Sequence, residues 1–414
     1  MQTKKVIVIG AGPAGMMAAI RAAQLRQEVT LIEKNHQPGK KLLLSGKGRC
    51  NLTNLCELDP FLNKFSSGGQ FLRDAFKKFF HRDLIKFFAS GGLKLKVERQ
   101  LRVFPVSDRS GSVLEVLKKQ LSAEKVKLIL KTALQDIIVQ GGRVEGIMLS
   151  DGKFLAAQRI ILATGGASYG FSGSTGEGIK IAAGLGHDIV PLRPGLVPLE
   201  AAEKHIRALE GIILKNIRLK FSHGKDELFS EIGELLFTGF GVSGPLVLSL
   251  SGRIVDWLSR GSGVFMEVDL KPGLSKEQLN ARLLREFQLN SKKTLKKTLK
   301  ALLPQRLINC VVELSGIPPD RNCSQVTRQE REKLLSLLKG FRMRISRARP
   351  LDEAMITCGG VSLKEINPRT MESRRVRGLY FAGEMIDIDA DTGGFNLQAA
   401  FSTGFLAGEG AAYG

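Results

Sequence analysis

Three glycines and one glutamate near the start of the sequence have the spacing of a dinucleotide-binding turn. Gly10, Gly12 and Gly15 fit the pattern G-x-G-x-x-G, and Glu33 follows Gly15 by 18 residues. The first glycine allows a tight turn, the second lets the backbone approach a pyrophosphate, and the third lets a helix pack closely on a strand. A carboxylate at Glu33 can accept hydrogen bonds from a ribose diol. The spacing therefore predicts a dinucleotide site.

The segments around these residues predict the elements that must position them. Residues 6–9 are all apolar, as in a buried parallel strand, an alanine-rich helix follows, and residues 29–32 form a second strand. The N–H groups and positive dipole end of the helix would point at the phosphates. Pro13 and Ala14, between the second and third glycines, are expected to line the same site. Arg26 stands where glycine is common, so it must adopt a left-handed conformation or a different turn.

A polar stretch after this unit is a second candidate for ligand contacts. Gly39, Lys40 and Lys41 follow the glutamate closely enough for the chain to wrap back over the phosphates, and Lys34, Gly39 and Lys41 are assigned to the cofactor. Residues 45–54 predict a loop laid along an extended ligand, with a solvated surface loop as the alternative. The residues assigned to the cofactor in this loop are Ser45, Gly46, Gly48, Arg49, Asn51, Thr53 and Asn54.

One cysteine in this loop is a candidate catalytic group. Cys50 lies between Arg49 and Asn51, and a thiol beside a cation can have a lowered pKa. We therefore consider Cys50, assisted by Arg49, as the proton donor of a reduction. The alternative is a small packing residue that lines the loop.

The last part of the chain distinguishes a flavin from a nicotinamide. Residues 378–382 (GLYFA) predict a strand, and T-G-G-F-N at 392–396 begins a helix. A helix N-terminus aimed at the pyrimidine end of an isoalloxazine would stabilise negative charge on reduced flavin. No second G-x-G-x-x-G follows a strand, so we expect FAD, with NAD(P)H only as a transient electron donor. The residues assigned to FAD from residue 164 onward are Thr164, Gly165, Gly383, Glu384, Asp387, Gly393, Gly394, Phe395, Asn396 and Leu397.

Length, charge and cysteine usage narrow the class of protein. A chain of 414 residues predicts two or three domains. Its net charge of +22 indicates a polyanionic partner or an anionic surface. Five cysteines without a C-x-x-C pair indicate reduced thiols in a cytoplasm, without a zinc site or a disulfide framework. No apolar run reaches the roughly 18 residues of a membrane span.

The composition changes beyond Pro191. Short β-like runs in 192–270, including the glycine-rich loop 233–245, predict a small β domain that could close as a barrel. Residues 275–340 predict helices, and in 292–304 the leucines 295, 299, 302 and 303 form one stripe with lysines 292, 293, 296, 297 and 300 around it. Before this region, 70–90 predicts a helix, and segments at 128–130, 134–139, 144–149 and 154–156 predict a β-meander.

Four long motifs, in order along the chain, carry a family resemblance. SGKGRCNLTN (45–54), LATGGASYGFSGSTGEG (162–178), GELLFTGFGVSGP (233–245) and GEMIDIDADTGGFNLQAA (383–400) resemble the YhiN/BaiN-like (RdsA-type) bacterial FAD-dependent flavoproteins. The resemblance implies an α/β fold with a Rossmann-type, glutathione-reductase-like FAD-binding domain, interrupted by a β-barrel-like insert that carries a helical subdomain. The expected parts are 1–191 with 355–414 for FAD, 192–274 with 341–354 for the barrel-like insert, and 275–340 for the basic helical insert.

The resemblance leaves two reactions open, because one branch reduces steroid-like enones and another reduces a uridine of ribosomal RNA to dihydrouridine. Windows 64–102, 276–306 and 328–349 carry +7, +7 and +6, and phosphate contacts would use such clusters. We therefore expect a ribosomal RNA uridine reductase whose basic inserts hold RNA while the target base is flipped towards the flavin. The alternatives are a small-molecule enone reductase and a ribosome-associated flavoprotein that does not modify RNA. The basic faces would then serve only for solubility.

Overall fold

The computed structural model describes residues 3–66, 68–261 and 263–414. The chain forms two compact units, one of Met1–Gly195 with Leu351–Gly414 and the other of Leu196–Pro350. These boundaries lie four residues from the expected limits of the FAD-binding domain. The helical segment 275–340 is not separated from the rest of the second unit, so the three-part division stays a prediction.

The described residues form the following elements. The helices are α1 (Pro13–Gln24), α2 (Lys40–Leu44), α3 (Leu58–Leu62), α4 (Arg73–Lys78), α5 (His81–Ser90), α6 (Ser110–Ala123), α7 (Glu177–Gly184), α8 (Pro245–Ser259), α9 (Lys276–Leu289), α10 (Leu295–Thr298), α11 (Gln305–Ser315), α12 (Arg328–Lys339) and α13 (Phe395–Tyr413). The strands are β1 (Lys5–Ile9), β2 (Glu28–Ile32), β3 (Thr53–Asn54), β4 (Leu95–Glu98), β5 (Arg102–Pro105), β6 (Lys127–Ile129), β7 (Leu134–Gln140), β8 (Arg143–Leu149), β9 (Phe154–Ala156), β10 (Arg159–Leu162), β11 (Ile189–Gly195), β12 (Leu199–Ala201), β13 (Ile213–His223), β14 (Asp226–Phe229), β15 (Gly233–Thr238), β16 (Gly241–Ser243), β17 (Val264–Asp269), β18 (Phe341–Ala348), β19 (Ile356–Val361) and β20 (Leu379–Phe381).

A five-stranded parallel sheet forms the centre of the first unit. Its strand order is β20-β10-β1-β2-β6, and Ile7 of β1 lies between Ile160 of β10 and Thr30 of β2. The expected Rossmann-type sheet is therefore present. The assignment of residues 128–130 to the meander is wrong, because β6 pairs in parallel with β2 instead.

Helices α1 and α13 pack against each other over this sheet. A β-carbon built on Gly404 would lie 2.2 Å from the carbonyl oxygen of Ala14, and one built on Gly408 would lie 2.4 Å from that of Ala18. Two glycines one turn apart in α13 therefore let the two helix backbones approach closely.

Smaller antiparallel sheets surround the parallel one. Strands β7, β8 and β9 form the expected meander, β3, β5 and β4 form a second sheet, and β11 pairs with β19. The helical structure expected over 70–90 is confirmed, but as two helices, because Phe79 is extended and separates α4 from α5. The break leaves the Phe79 carbonyl free to accept a hydrogen bond from Ser402 Oγ at 2.6 Å.

The second unit contains a closed sheet. Its strands follow the order β14-β13-β15-β16-β12-β18-β17, and β13 also pairs with β17, which closes a ring of six strands. Residues 233–245 are not a loop, because β15 and β16 pair there as an antiparallel hairpin. Helix α8 was not predicted, and it begins at Pro245, a residue favoured in the first helical turn.

The helical segment of the second unit buries its leucines as expected. Leu295, Leu299, Leu302 and Leu303 are at most 7% exposed. The helix itself is shorter than the stripe suggested, since α10 ends at Thr298 and a 3₁₀ turn continues to Ala301.

None of the described helices has the length and apolar character needed to cross a membrane. The expectation of a cytoplasmic protein stays a prediction.

Candidate functional site

The three glycines of the first turn occupy three different environments. Gly10 has φ +97° and donates its N–H to the Ile32 carbonyl at 2.8 Å. A β-carbon built on Gly15 would lie only 1.8 Å from the Gly10 carbonyl oxygen, whereas one on Gly12 would meet nothing within 4 Å. The turn is thus closed on its protein side and open at Gly12, as a pyrophosphate-binding turn requires.

Helix α1 presents its amino end at this opening. Gly12 caps the helix, Pro13 and Ala14 are its first residues, and its first turn carries no acidic side chain. The positive end of the helix dipole is therefore not neutralised by its own first turn, which favours a bound anion.

Glu33 is buried directly beside the turn. Its Oε2 accepts the N–H of Ala11 at 2.8 Å, and its Oε1 accepts the backbone N–H and the Nδ2 of Asn35 at 2.9 and 2.7 Å. An ionised carboxylate offers about four acceptor positions, so roughly one remains on Oε2. Only that position is left for the expected contact with a ribose. The three hydrogen bonds that Glu33 already accepts fix the shape of the turn.

Residues 45–50 form a tight left-handed coil. Gly46, Lys47, Gly48 and Cys50 have φ values of +57°, +58°, +81° and +61°. The N–H of Cys50 donates to the Ser45 carbonyl at 3.0 Å, which closes the coil. A β-carbon on Gly48 would meet nothing within 4 Å, so this backbone, like that of Gly12, is open to a ligand.

The proposed activation of Cys50 by Arg49 is wrong. The Arg49 guanidinium pairs with Glu98 and, at 2.6 Å, with Asp108, and it lies over the Phe104 ring. Cys50 is fully buried in the core, and burial raises the pKa of its thiol to about 12, a rise that a hydrogen bond with Ser45 only partly opposes. The structure favours the packing role for Cys50.

The two lysines expected over the phosphates are held in ion pairs. Lys34 Nζ lies 2.9 Å from Glu177 and 2.8 Å from the Thr175 hydroxyl. Lys41 Nζ lies 2.7 Å from Glu384, while the N–H of Gly39 donates to the Ala11 carbonyl at 2.8 Å. Segment 34–41 therefore returns to the glycine turn through its backbone, and its lysines bind neighbouring loops.

Glu384 joins several separate segments. Its Oε1 accepts the backbone N–H of Thr357 at 2.7 Å and the Ser168 hydroxyl at 3.0 Å, in addition to Lys41. Gly383, the preceding residue, donates its N–H to Thr403 Oγ1 at 3.0 Å. The carboxylate of Glu384 thus holds the segments that carry Lys41, Ser168 and Thr357 together.

The T-G-G-F-N motif lies against the polar loop. A β-carbon on Gly394 would lie 2.6 Å from the Thr53 carbonyl carbon, and Asn54 Nδ2 donates to the Gly393 carbonyl at 3.3 Å. Two segments that were assigned separately to the cofactor therefore lie side by side. The side chains that follow are turned inward, with Phe395 4.7 Å from the ring of Phe61, Asn396 bonded to the backbone of residue 390, and Leu397 packed on the core.

A cluster around Cys358 was missed by sequence reasoning. Arg193 and Cys358 are register partners in β11 and β19, and the charges of Asp389 and Arg193 act on both the Cys358 thiol and the Asp387 carboxyl. Burial raises the pKa of Asp387, Asp389 raises it further, and Arg193 opposes the rise. The T-C-G-G sequence at 357–360, which repeats the T-G-G pattern of 392–394, is the signal that could have found it.

Of the nine buried side-chain polar atoms without a hydrogen-bond partner among the described residues, two belong to residues predicted to contact the cofactor. They are the Asn51 Oδ1, on the polar loop, and the Thr164 Oγ1, directly after β10. Gly165, beside Thr164, has φ +77°. Unpaired buried polar atoms are costly and need an explanation. Together with the open backbone at Gly12 and Gly48, they fit an extended ligand such as FAD. No cluster of three or more His, Cys, Asp or Glu side chains placed to hold a metal occurs in the described ranges.

Comparison with known proteins identifies the family. Residues 4–410 match the family described as "HI0933-like protein Rossmann domain". The chain belongs to the HI0933-like family. A "3-dehydro-bile acid delta(4,6)-reductase" of Clostridium scindens is 34% identical over 418 residues, 99% of each chain. A "Ribosomal RNA dihydrouridine synthase" of Escherichia coli is 31% identical over 408 residues, 97% of this chain and 96% of that protein.

A solved structure supports the α/β fold of this chain. The 3-ketosteroid delta1-dehydrogenase of Sterolibacterium denitrificans superposes with a TM-score of 0.54 over 100% of each chain, at 16% identity. At this identity the likeness concerns the fold alone. The HI0933-like membership confirms the family resemblance and the α/β fold expected from the sequence, and the protein is an FAD-dependent oxidoreductase.

Proposed function

We propose that this FAD-dependent oxidoreductase reduces the C5=C6 double bond of a uridine in ribosomal RNA. The observation that carries the proposal is a row of exposed cations in the second unit. Lys292, Lys293, Lys297 and Lys300 are exposed beside the buried leucines of α10 and its 3₁₀ turn. None of the four has an ion pair among the described residues. Such free cations suit the phosphates of a polyanion.

The arginines of β18 contribute less free charge than their number suggests. Arg347 and Arg349 both lie 2.7 Å from carboxylate oxygens of Glu200. Arg342 lies over the Phe265 ring, 4.0 Å from Glu267. We therefore assign the main phosphate contacts to the lysines of 292–300, with the β18 arginines in a smaller role.

The chemistry divides between the cofactor and the chain. Bound reduced FAD would supply the hydride for one carbon of the double bond. Gly12, Asn51 and Thr164 would hold the cofactor through their open backbone and unpaired polar atoms. The second carbon needs a proton, and we assign its donation to Asp387, because a carboxyl is a much stronger acid than the buried thiol of Cys50 and burial favours the protonated form of this one. NAD(P)H is the proposed source of electrons, as a transient ligand.

A relative supports a second candidate function. The reductase of Clostridium scindens is 34% identical over nearly its whole length, and its named substrate is a bile acid. An enone reductase would use the same FAD turn and the same proton. It gives no role to the exposed lysines, and for that reason we place it second. An RNA-binding flavoprotein without modification activity is the third possibility.

The decisive experiment is mass spectrometry of ribosomal RNA from a deletion strain of the source bacterium. The proposal expects one uridine that carries two additional hydrogens in the wild type and loses them in the deletion strain. Complementation with the wild-type gene should restore them. Ribosomal RNA of identical mass in both strains, together with reduction of a steroid enone by the purified protein, would replace the proposal with the second candidate.

A charge variant tests the lysines separately. Changing Lys292, Lys293, Lys297 and Lys300 to Ala should weaken RNA binding and reduce its dependence on salt, with FAD content unchanged. A matched control removes four exposed lysines from the first unit, namely Lys118, Lys119, Lys127 and Lys153. Equal RNA affinity and salt dependence in both variants and the wild type would show that the lysines are only a solvated face.

A further inference from the structure

A cavity in the second unit is lined by positive charge. It has a volume of about 310 Å³ and is formed by residues 215–216, 270–274 and 282. Three of the lining side chains, Lys215, Lys271 and Arg282, are cationic, and none is acidic. These three cations have no ion pair in the part of the chain that the structure describes.

The three cations come from three separate elements. Lys215 lies at an irregularity in β13, where the pairing with β15 shifts between Leu214 and Ile217. Asn216 beside it has φ +54°, a conformation that costs about 1 kcal/mol for a residue other than glycine. Bulges of this kind re-aim side chains. Lys271 belongs to the loop after β17, and Arg282 to α9.

The loop that carries Lys271 is fixed by a fourth cation. Lys339 Nζ donates to the carbonyls of Leu274 and Lys271 at 2.8 and 3.2 Å, and it pairs with Asp269 at 2.6 Å. Asp269 also accepts the backbone N–H of Lys271 at 2.9 Å. The nearby acid is thus neutralised by Lys339, and the loop is ordered without use of the Lys271 side chain.

The charges in the cavity oppose one another. Lys271 is half-buried, and burial followed by the positive charge of Arg282 lowers the pKa of its amine. A bound anion would offset both the burial of the Lys271 ammonium and its repulsion by Arg282, because it supplies the missing opposite charge. A cavity of this size has room for a tetrahedral oxyanion, and a guanidinium with two ammonium groups matches its oxygens.

We propose that this cavity is a binding site for a phosphate group, held by Lys215, Lys271 and Arg282. The phosphate could belong to the RNA backbone or to a small phosphorylated molecule. The assignment to RNA rests on the proposed function, whereas the site itself does not. The three cations would bind phosphate oxygens, and such contacts position a ligand without reading its sequence.

The test uses the full-length holoprotein and the variant K215Q/K271Q/R282Q. The control is K118Q/K119Q/K127Q, which removes the same charge from exposed positions of the first unit. Inorganic phosphate binding is measured by calorimetry at low ionic strength. Affinity for a labelled single-stranded RNA is measured over a range of salt concentrations. Thermal melting and FAD content show that each variant is folded.

The proposal expects phosphate to bind the wild type and the control, and to bind the triple variant at least about tenfold more weakly. If the phosphate comes from RNA, the salt slope of the triple variant falls by about 0.7, the value for one phosphate of a single strand. An unchanged slope with lost phosphate binding assigns the site to a small phosphorylated molecule. Equal phosphate affinity in all three proteins, or no binding to the wild type, overturns the site. Lost phosphate binding in the triple variant supports the site even if ribosomal RNA contains no product.

Discussion

Gly404 in α13 lies so close to Ala14 in α1 that a β-carbon on Gly404 would stand 2.2 Å from the Ala14 carbonyl oxygen. Ala14 belongs to the first turn of α1, directly after the glycine turn. The position of that turn therefore depends on a helix from the opposite end of the sequence.

Replacing Gly404 by Ala should destabilise the first unit. The added methyl group must push α13 away from α1, and overpacking of this kind costs about 1–3 kcal/mol. Chemical denaturation followed by circular dichroism measures the effect. Gly111→Ala is the control, because Gly111 lies in α6 with nothing within 4 Å of its β-carbon position. That change should leave the stability equal or raise it by up to about 1 kcal/mol. A Gly404→Ala protein as stable as the wild type would contradict the packing.

Gly12→Val should abolish FAD binding without unfolding the protein. Gly12 has φ −79° and ψ −177°, which valine adopts readily, and its β-carbon position is open. The valine would occupy the space where the pyrophosphate approaches the backbone. The FAD released on denaturation is measured by absorbance, and thermal melting is measured alongside. A folded variant that keeps a full complement of FAD would place the phosphates elsewhere.

Thr164→Val should have opposite effects on the free and the loaded protein. The Thr164 hydroxyl has no partner among the described residues, so its removal should leave the apoprotein as stable or more stable. FAD affinity should fall about two- to twelvefold, the equivalent of one hydrogen bond of 0.5–1.5 kcal/mol. Thr403→Val is the matched control, because that hydroxyl bonds to Ala399 and Gly383, and its loss should destabilise the apoprotein. Unchanged FAD affinity of Thr164→Val would remove Thr164 from the cofactor site.

Cys50→Ala should retain FAD and product formation. Its thiol is buried, and its pKa of about 12 makes it a poor acid near neutral pH. The variant should lose stability only, by about 1 kcal/mol, because a small cavity replaces the sulfur. Single-turnover reduction of substrate at constant FAD content is the measurement. A large loss of rate with FAD retained would restore Cys50 as the proton donor.

Asp387→Asn should change how the stability of the apoprotein depends on pH. The folded-state pKa of Asp387 is raised above its ordinary value of 3.8, mainly by burial. The folded state therefore binds more protons than the unfolded state in this range, and stability is lost as pH rises through the raised pKa. The variant should match the wild type at acidic pH, where the carboxyl is protonated in both states, and exceed it near neutral pH. Parallel stability curves for the two proteins would exclude this titration.

Local patterns predicted the glycine turn and the helix after it. They left two alternatives for Arg26, and the structure has the left-handed one, with φ +62°. Contacts between distant segments could not be predicted in the same way. Arg49 pairs with Glu98 at the end of β4 and with Asp108 in the loop after β5, and nothing near Arg49 in the sequence indicates them.

Helix α8 was missed for a physical reason as well. Its sequence is apolar at most positions, so it lacks the polar face that distinguishes a helix from a buried strand. Strand β6 has only three residues, and its parallel partner β2 lies about 100 residues earlier in the chain.

The division of the first unit into two pieces also determines the order in which it can fold during synthesis. Strand β20 and helix α13 come from the second piece, yet they pair with β10 and α1 from the first. About 200 residues must be translated between β10 and β20, which takes roughly 10–40 s at typical rates. All of Leu196–Pro350 is made in that interval. The second unit can therefore finish folding first, while the parallel sheet of the first unit still has β10 unpaired at one edge and α1 not yet covered by α13.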